Sequence, residues 1–177
     1  IKYNLSPKVL VRKFLKSFIN RVAEMVAGWM SSGFVHGVLN TDNFNITGES
    51  FDYGPWRFLT EMDFDFTAAY FDHEGRYAYG NQPEAALWAL CRLADCLTEF
   101  VSQKVLEEEL KKFYPCMELA LYKRLCWRFG ILLPEDIKPN VFLSLFFSST
   151  SKSKIKLDYL FHKFYAGFKP EIIRREG

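Results

Sequence analysis

Apolar residues recur at helical spacing in the first part of this chain and again after Pro83, but not in the stretch between. Near the amino terminus the spacings are three and four residues, which places these side chains on one face of a helix. Ser6 and Pro7 suit the start of that helix, and Gly33 suits its end. We therefore predict a mainly α-helical chain with one small non-helical insert. The first apolar stripe comprises Leu10, Phe14, Phe18, Val22, Met25 and Trp29.

Helical spacing returns after the insert, and prolines and polar runs mark the expected boundaries. The predicted elements are a helix from Pro83 with a stripe reaching Val101, a helix over residues 104–128, a helix opened by Pro134 whose boundary Pro139 obscures, a polar loop over 148–153, and a last helix over 156–166.

The composition is that of one ordinary globular domain. The chain has 177 residues, of which 49% are hydrophobic and 25% charged. Its 18 phenylalanines predict a core rich in aromatic rings. A formal net charge of +2 indicates neither a nucleic acid nor an anionic membrane as partner. Without a membrane-length apolar run or a signal-peptide pattern, we expect a cytoplasmic protein in a bacterium, or a mitochondrial one in a eukaryote.

The four cysteines show no pattern typical of a metal site. Cys91, Cys96, Cys116 and Cys126 form no Cys-x-x-Cys pair, and no histidine lies at zinc-finger spacing from them. We expect reduced, buried helix residues; structural zinc or disulfides are the alternatives.

The insert carries most of the polar residues that could take part in binding or catalysis. Residues 44–46 and 50–52 can pair as two strands around a tight turn at 47–48. With a two-residue loop, Asn43 would lie opposite Asp52, and the two side chains would emerge on one face of the hairpin. An amide oxygen and a carboxylate suit Mg²⁺, which takes few protein ligands. The alternative is that both residues only cap turns.

The spacing of polar residues in the insert resembles two elements of protein kinases. His36 and Asn43 have the spacing of the kinase catalytic loop, and Asp-Tyr-Gly at residues 52–54 stands in the place of the metal-binding Asp-Phe-Gly. The kinase catalytic aspartate would fall at position 38, which is Val38 here. Because valine cannot accept a proton, ordinary kinase chemistry by this route is excluded.

The combination of these motifs resembles the selenoprotein O family of protein adenylyltransferase pseudokinases. The resemblance is strong from about residue 33 to 97 and rests on HGVLNTDN at 36–43, DYGP at 52–55, FDHEGRY at 71–77, NQP at 81–83, and the following Leu87 and Trp88.

The resemblance implies a protein-kinase-like fold that binds ATP in a flipped orientation and transfers AMP to serine, threonine or tyrosine hydroxyls of proteins. It assigns Asp42 as the proton acceptor. It assigns Asn43 and Asp52 as ligands of magnesium, with Asp52 also in the nucleotide site. Some members also use manganese for uridylylation.

The resemblance further implies that residues 1–177 are a partial domain. They would form the helical, carboxyl-terminal lobe, because the family's glycine-rich strands and nucleotide-binding lysine and arginines precede the metal motif. Ile1 in place of a methionine also indicates a piece of a longer chain, which alone would bind ATP weakly and transfer nothing. The alternatives are a non-catalytic scaffold module and a small-molecule phosphotransferase, and Val38 disfavours the latter.

Three further polar residues of these motifs each have two possible roles. His36 could act as a base, although bracing of the loop is the favoured role. His73 and Arg76 could contact phosphate, although packing of the irregular segment is favoured.

Overall fold

The computed structural model describes residues 5–132 and 137–167, and this part of the chain is mainly helical, as predicted. Six helices and two short strands follow one another in these described residues. In order they are α1 (Pro7–Ser32), β1 (Phe34–Val35), β2 (Arg57–Phe58), α2 (Gln82–Asp95), α3 (Gln103–Leu110), α4 (Phe113–Phe129), α5 (Pro139–Ser153) and α6 (Leu157–Lys163), with single 3₁₀ turns at Thr41–Asn43 and Tyr79–Asn81.

Helix α1 has the predicted start and end. Pro7 lies in its first turn, and Gly33 follows its last residue in the left-handed conformation, with φ +70°. A Cβ atom on Gly33 would lie 2.9 Å from Leu157, so both the backbone angle and the packing require glycine. Of the predicted stripe, Phe18, Val22 and Trp29 are buried and Phe14 and Met25 are partly buried, whereas Leu10 is exposed, so the prediction fails only in the first turn.

The core lies mainly between α1 and α4. Its aromatic content is as predicted, since Phe18, Phe34, Phe113, Phe146 and Phe161 are all buried. Near the end of α4, the ring of Phe129 lies 4.7 Å from that of Phe161, and the Arg128 guanidinium covers the Phe161 ring at 3.6 Å. Arg128 also donates a hydrogen bond to the Ser31 carbonyl, which satisfies an unpaired acceptor at the end of α1.

The single helix predicted over residues 104–128 is wrong, because the chain turns at Lys111–Lys112 and forms α3 and α4 instead. Pro115 supplies the reason. A proline has no amide hydrogen, and its ring clashes with the carbonyl four residues earlier, which here belongs to Lys111. The continuous helix therefore breaks one turn before Pro115, and the proline is accepted in the first turn of α4.

The polar loop predicted over residues 148–153 is also wrong, since these residues complete α5. Their hydroxyls bond back to helix carbonyls: Thr150 donates to Phe146 at 2.8 Å and Ser148 to Leu145 at 3.2 Å. The hydroxyl groups therefore find their hydrogen-bond acceptors within the helix and do not favour a turn. Pro139 begins α5, whereas Pro134 lies outside the described residues.

The two-stranded sheet lies on either side of the predicted hairpin. Phe34 pairs with Phe58 and Val35 with Arg57, in antiparallel register. Residues 44–46 and 50–52, which were predicted to be strands, are irregular. The sheet therefore closes the loop of residues 36–56, which contains the motif residues 36–43 and 52–55.

The cysteines differ in exposure. All four are free, but only Cys126 is buried, and Cys96 is exposed just beyond α2. The expectation of burial is thus correct for one of them. Among the helices that the structure describes, none has the length and apolar character needed to cross a membrane.

A buried carboxylate joins α1 to the α3–α4 turn. Glu109 is buried and accepts hydrogen bonds from Arg12 at 2.8 Å and from Lys112 at 2.6 Å. Burial would raise the pKa of Glu109, but the hydrogen bonds and charges of Lys112 and Arg12 hold it below its ordinary value of 4.5. The ionised form is therefore the one that the fold stabilises.

We expect Glu109→Gln to lower the free energy of unfolding by about 1–2 kcal/mol at neutral pH, because the two partners are half exposed and water partly replaces the lost pairs. Since the pKa of Glu109 is lower in the folded chain, its contribution is present above the unfolded pKa and disappears as the pH falls through the folded value. Urea denaturation as a function of pH measures both effects. Glu108→Gln, an exposed neighbour on α3, is the control, and equal stability of the two variants would contradict the prediction.

Candidate nucleotidyl-transfer site

The two motif segments of the insert pack side by side around Val38. A Cβ atom on Gly54 would lie 3.3 Å from the Val38 side chain, and one on Gly37 would lie 3.1 Å from the Pro55 carbonyl oxygen. The rings of His36 and Tyr53 are 5.3 Å apart. The segment 36–38 thus contacts the segment 53–55 along its whole length, with glycines permitting the close approach.

His36 is fully buried and holds the two segments together. Its Nδ1 accepts from the Val38 amide at 3.4 Å, so the ring proton resides on Nε2, which donates to the Ser50 hydroxyl at 2.9 Å. Desolvation lowers the pKa of His36 to about 4, against a smaller opposing effect of the Asp52 charge. A neutral ring with both nitrogens engaged agrees with the bracing role favoured from the sequence.

Gln82 anchors the same loop from the start of α2. Its fully buried side chain accepts from the His36 amide at 2.9 Å and donates to the Phe34 carbonyl at 3.0 Å. Sequence reasoning missed this role. The only signal was its place in the NQP motif, because a lone glutamine within an apolar helix start has no period that predicts a partner.

The predicted catalytic residue Asp42 and metal ligand Asn43 occupy a single 3₁₀ turn, Thr41–Asn43. Asp42 is exposed, whereas Asn43 is buried. The Asn43 side-chain amide donates to the Val38 carbonyl at 2.8 Å, which fixes the amide plane and leaves Oδ1 as the available ligand atom. The turn therefore directs a carboxylate toward solvent beside an oriented amide oxygen.

The predicted register of the hairpin is wrong. The Asn45 amide donates to the Glu49 carbonyl at 2.7 Å, and Gly48 has φ +85°, so the loop contains three residues instead of two. This is the three-residue hairpin loop that ends in a left-handed glycine. A Cβ atom on Gly48 would lie 2.4 Å from Arg21, which also requires glycine. The change of one residue removes the direct pairing of Asn43 with Asp52.

Asn43 and the Asp52 segment meet through Val38 instead. The Val38 carbonyl holds Asn43, and its side chain contacts Gly54, two residues beyond Asp52. The Asp52 carboxylate is exposed and makes no ion pair with any residue that the structure describes. One free carboxylate and one oriented amide oxygen fit a hard divalent cation, which prefers oxygen ligands and keeps water or phosphate in its other positions.

The FDHEGRY segment forms a capped turn that packs under this loop. Both carboxylate oxygens of Asp72 accept backbone hydrogen bonds, from Arg76 at 2.9 Å and from Tyr77 at 2.8 Å. The Arg76 guanidinium lies over the rings of Tyr77 and Trp88, at 5.4 and 5.1 Å. These contacts support the packing role favoured for Arg76. His73 is exposed and lines a polar cavity of about 660 Å³.

Comparison with known proteins identifies the relatives of this chain. The model of a family described as protein adenylyltransferase SelO matches residues 5–176. Proteins named protein nucleotidyltransferase YdiU are similar to it. That of Synechocystis sp. is 51% identical over 100 residues, covering 56% of this chain and 21% of the relative. That of Trichodesmium erythraeum is 37% identical over 159 residues, covering 89% of this chain and 33% of the relative.

These matches place the chain in a class of nucleotidyltransferase-related proteins. Within that class, the chain belongs to the protein adenylyltransferase SelO family. The resemblance predicted from the motifs is thereby confirmed. The chain spans no more than about a third of the length of the two relatives described.

We expect the burial of His36 to make the fold sensitive to acid. The unfolded histidine takes up a proton near pH 6.5, whereas the folded one does so only near pH 4. The unfolded chain therefore binds more protons in this interval, and the free energy of unfolding should fall as the pH decreases from 6.5 to 4. Urea denaturation of the wild type and of His36→Gln across this interval measures the effect, and identical slopes for the two proteins would contradict it.

Proposed function

We propose that this chain is the catalytic-loop part of a protein adenylyltransferase, which transfers AMP from ATP to serine, threonine or tyrosine hydroxyls of proteins. The single observation that carries the proposal is the arrangement around Val38, which stands where a kinase has its catalytic aspartate. The segment with Asp42 and Asn43 and the segment that follows Asp52 both contact Val38. Membership of the protein adenylyltransferase SelO family supports it.

We also propose that the described helices form the helical lobe of a kinase-like fold, and that residues 1–177 are one partial domain of a longer protein. The order of elements supports this: a long helix, a short strand, the loop with His36, the Asp-Tyr-Gly segment, and a helix that begins at Gln82. The limited share of the relatives that the chain covers also supports it.

In the proposed reaction, the acceptor hydroxyl oxygen attacks the α-phosphorus of ATP. A phosphorus–oxygen bond to AMP forms, the bond to the bridging oxygen breaks, and pyrophosphate leaves with the electron pair. Asp42 takes the hydroxyl proton, which its exposed carboxylate can do without displacing another partner. The fixed turn that carries Asp42 holds the base at a constant position relative to the loop.

Asn43 and Asp52 would hold magnesium or manganese through Asn43 Oδ1 and the Asp52 carboxylate. A divalent cation supplies charge neutralisation at the phosphates when bound. The chain contributes orientation, because Val38 fixes the Asn43 amide and the packing of Gly54 on Val38 fixes the backbone next to Asp52. Through this ion, Asp52 would also contact the nucleotide.

We expect Asp52→Ala to abolish AMP transfer, since the metal loses its carboxylate. Asp42→Ala should lower kcat by about 10²- to 10⁴-fold and leave ATP affinity largely unchanged, because only the proton acceptor is removed. The measurement is incorporation of label from α-labelled ATP into protein, with the longest form of the protein that its gene encodes. Glu99→Ala, an exposed carboxylate outside the motifs, is the control.

The same assay separates this function from its alternatives. Incorporation from γ-labelled ATP would indicate a phosphotransferase, and no incorporation from either label would indicate a scaffold module. Normal α-label transfer by Asp52→Ala would overturn the metal assignment.

We further expect the 177-residue chain alone to transfer no AMP and to bind ATP weakly, because the family's nucleotide-binding lysine and arginines lie outside it. The same α-label assay, together with calorimetric titration of ATP, tests this. Transfer at the rate of the longer protein would contradict it.

A further inference from the structure

We infer that Tyr77 is a positioning residue for the proposed transfer reaction: its hydroxyl holds Asn40 and thereby fixes the turn that presents Asp42 and Asn43. This inference rests on the proposed function, and it assigns a role to the FDHEGRY segment, which the proposed chemistry does not use.

The first step is the contact between Tyr77 and the catalytic loop. The Tyr77 hydroxyl donates a hydrogen bond to Asn40 Oδ1, across 37 positions of sequence. The Tyr77 ring is buried, with 7% of its surface exposed, so the hydroxyl approaches Asn40 from the protein interior. A buried aromatic ring with one polar end is a rigid support, because few rotatable bonds have to be ordered.

The second step is the contact between Asn40 and the reactive turn. Asn40 precedes the 3₁₀ turn Thr41–Asn43, and its carbonyl accepts the Asn43 amide at 3.0 Å. The residue held by Tyr77 therefore closes the turn that contains both the proposed base and a proposed metal ligand. Movement of Asn40 would displace Asp42 and Asn43 together.

The third step is the anchoring of Tyr77 itself. Asp72 accepts the backbone amides of Arg76 and Tyr77, and the Asn81 side chain donates to the Gly75 carbonyl at 2.8 Å. The backbone from Gly75 to the Tyr77 amide is thus held by side-chain hydrogen bonds. The Tyr77 hydroxyl is consequently the group through which the fixed turn at 72–77 holds Asn40 and the proposed catalytic loop in place.

The principal test removes that hydroxyl alone. In the longest form of the protein, Tyr77→Phe should lower kcat for α-label transfer by about tenfold and leave the KM for ATP unchanged, as expected for the loss of one hydrogen bond that orients the reacting groups. Tyr70→Phe makes the same chemical change on a ring that is 88% exposed, and it should retain the wild-type rate.

Variants of the acceptor test whether the two side chains act together. Asn40→Leu should resemble Tyr77→Phe, and the double variant should be no slower than either single one, because both changes remove the same bond. Asn40→Asp keeps an oxygen acceptor at this position, so this variant should retain most of the wild-type rate of α-label transfer. A wild-type rate for Tyr77→Phe, or losses that multiply in the double variant, would overturn the inference.

Hydrogen exchange gives a measurement that needs neither nucleotide nor activity. In Tyr77→Phe, the Asn43 amide should exchange faster than in the wild type and in Tyr70→Phe, whereas amides within α1 should be unaffected. Unchanged exchange at Asn43 would overturn the inference. If the longest form of the protein incorporated no label from α-labelled ATP, the proposed function would be wrong, and the exchange comparison would still decide whether the hydroxyl holds the turn.

Discussion

Gln82 satisfies two buried backbone groups of the segment that leads into the histidine loop, the His36 amide and the Phe34 carbonyl. Each of these groups would otherwise lose its hydrogen bond to water without compensation, at about 1–3 kcal/mol. Because Gln82 is also the first residue of α2, this bond fixes the loop to the helical body. The segment that is attached in this way also carries the buried His36, which bonds to Ser50, and Val38, which contacts Gly54.

The site combines a rigid interior with a solvent-exposed chemical face. His36 and Asn43 are buried and held by hydrogen bonds, whereas Asp42 and Asp52 are exposed. A carboxylate in water retains its charge at little cost, whereas a buried one has to be paired. The two exposed carboxylates therefore need no buried partner, while hydrogen bonds of His36 and Asn43 hold the loop beneath them.

The sequence predicted those features that local rules determine. Pro7, Gly33 and the helical repeat located α1, and the motif spacing identified the family. The hairpin register was missed because Gly48 permits a three-residue loop as readily as a two-residue one. The roles of Gln82 and Tyr77 could not be predicted, since each partner lies 37 or more positions away and no periodic pattern records such a bond.

Helix α1 is continuous over 26 residues, about 39 Å at the usual rise, and only Gly33 separates it from β1. A single residue provides almost no slack between the helix and the strand that leads into His36. Any tilt or axial shift of α1 would therefore be carried into the histidine loop instead of being absorbed by a linker.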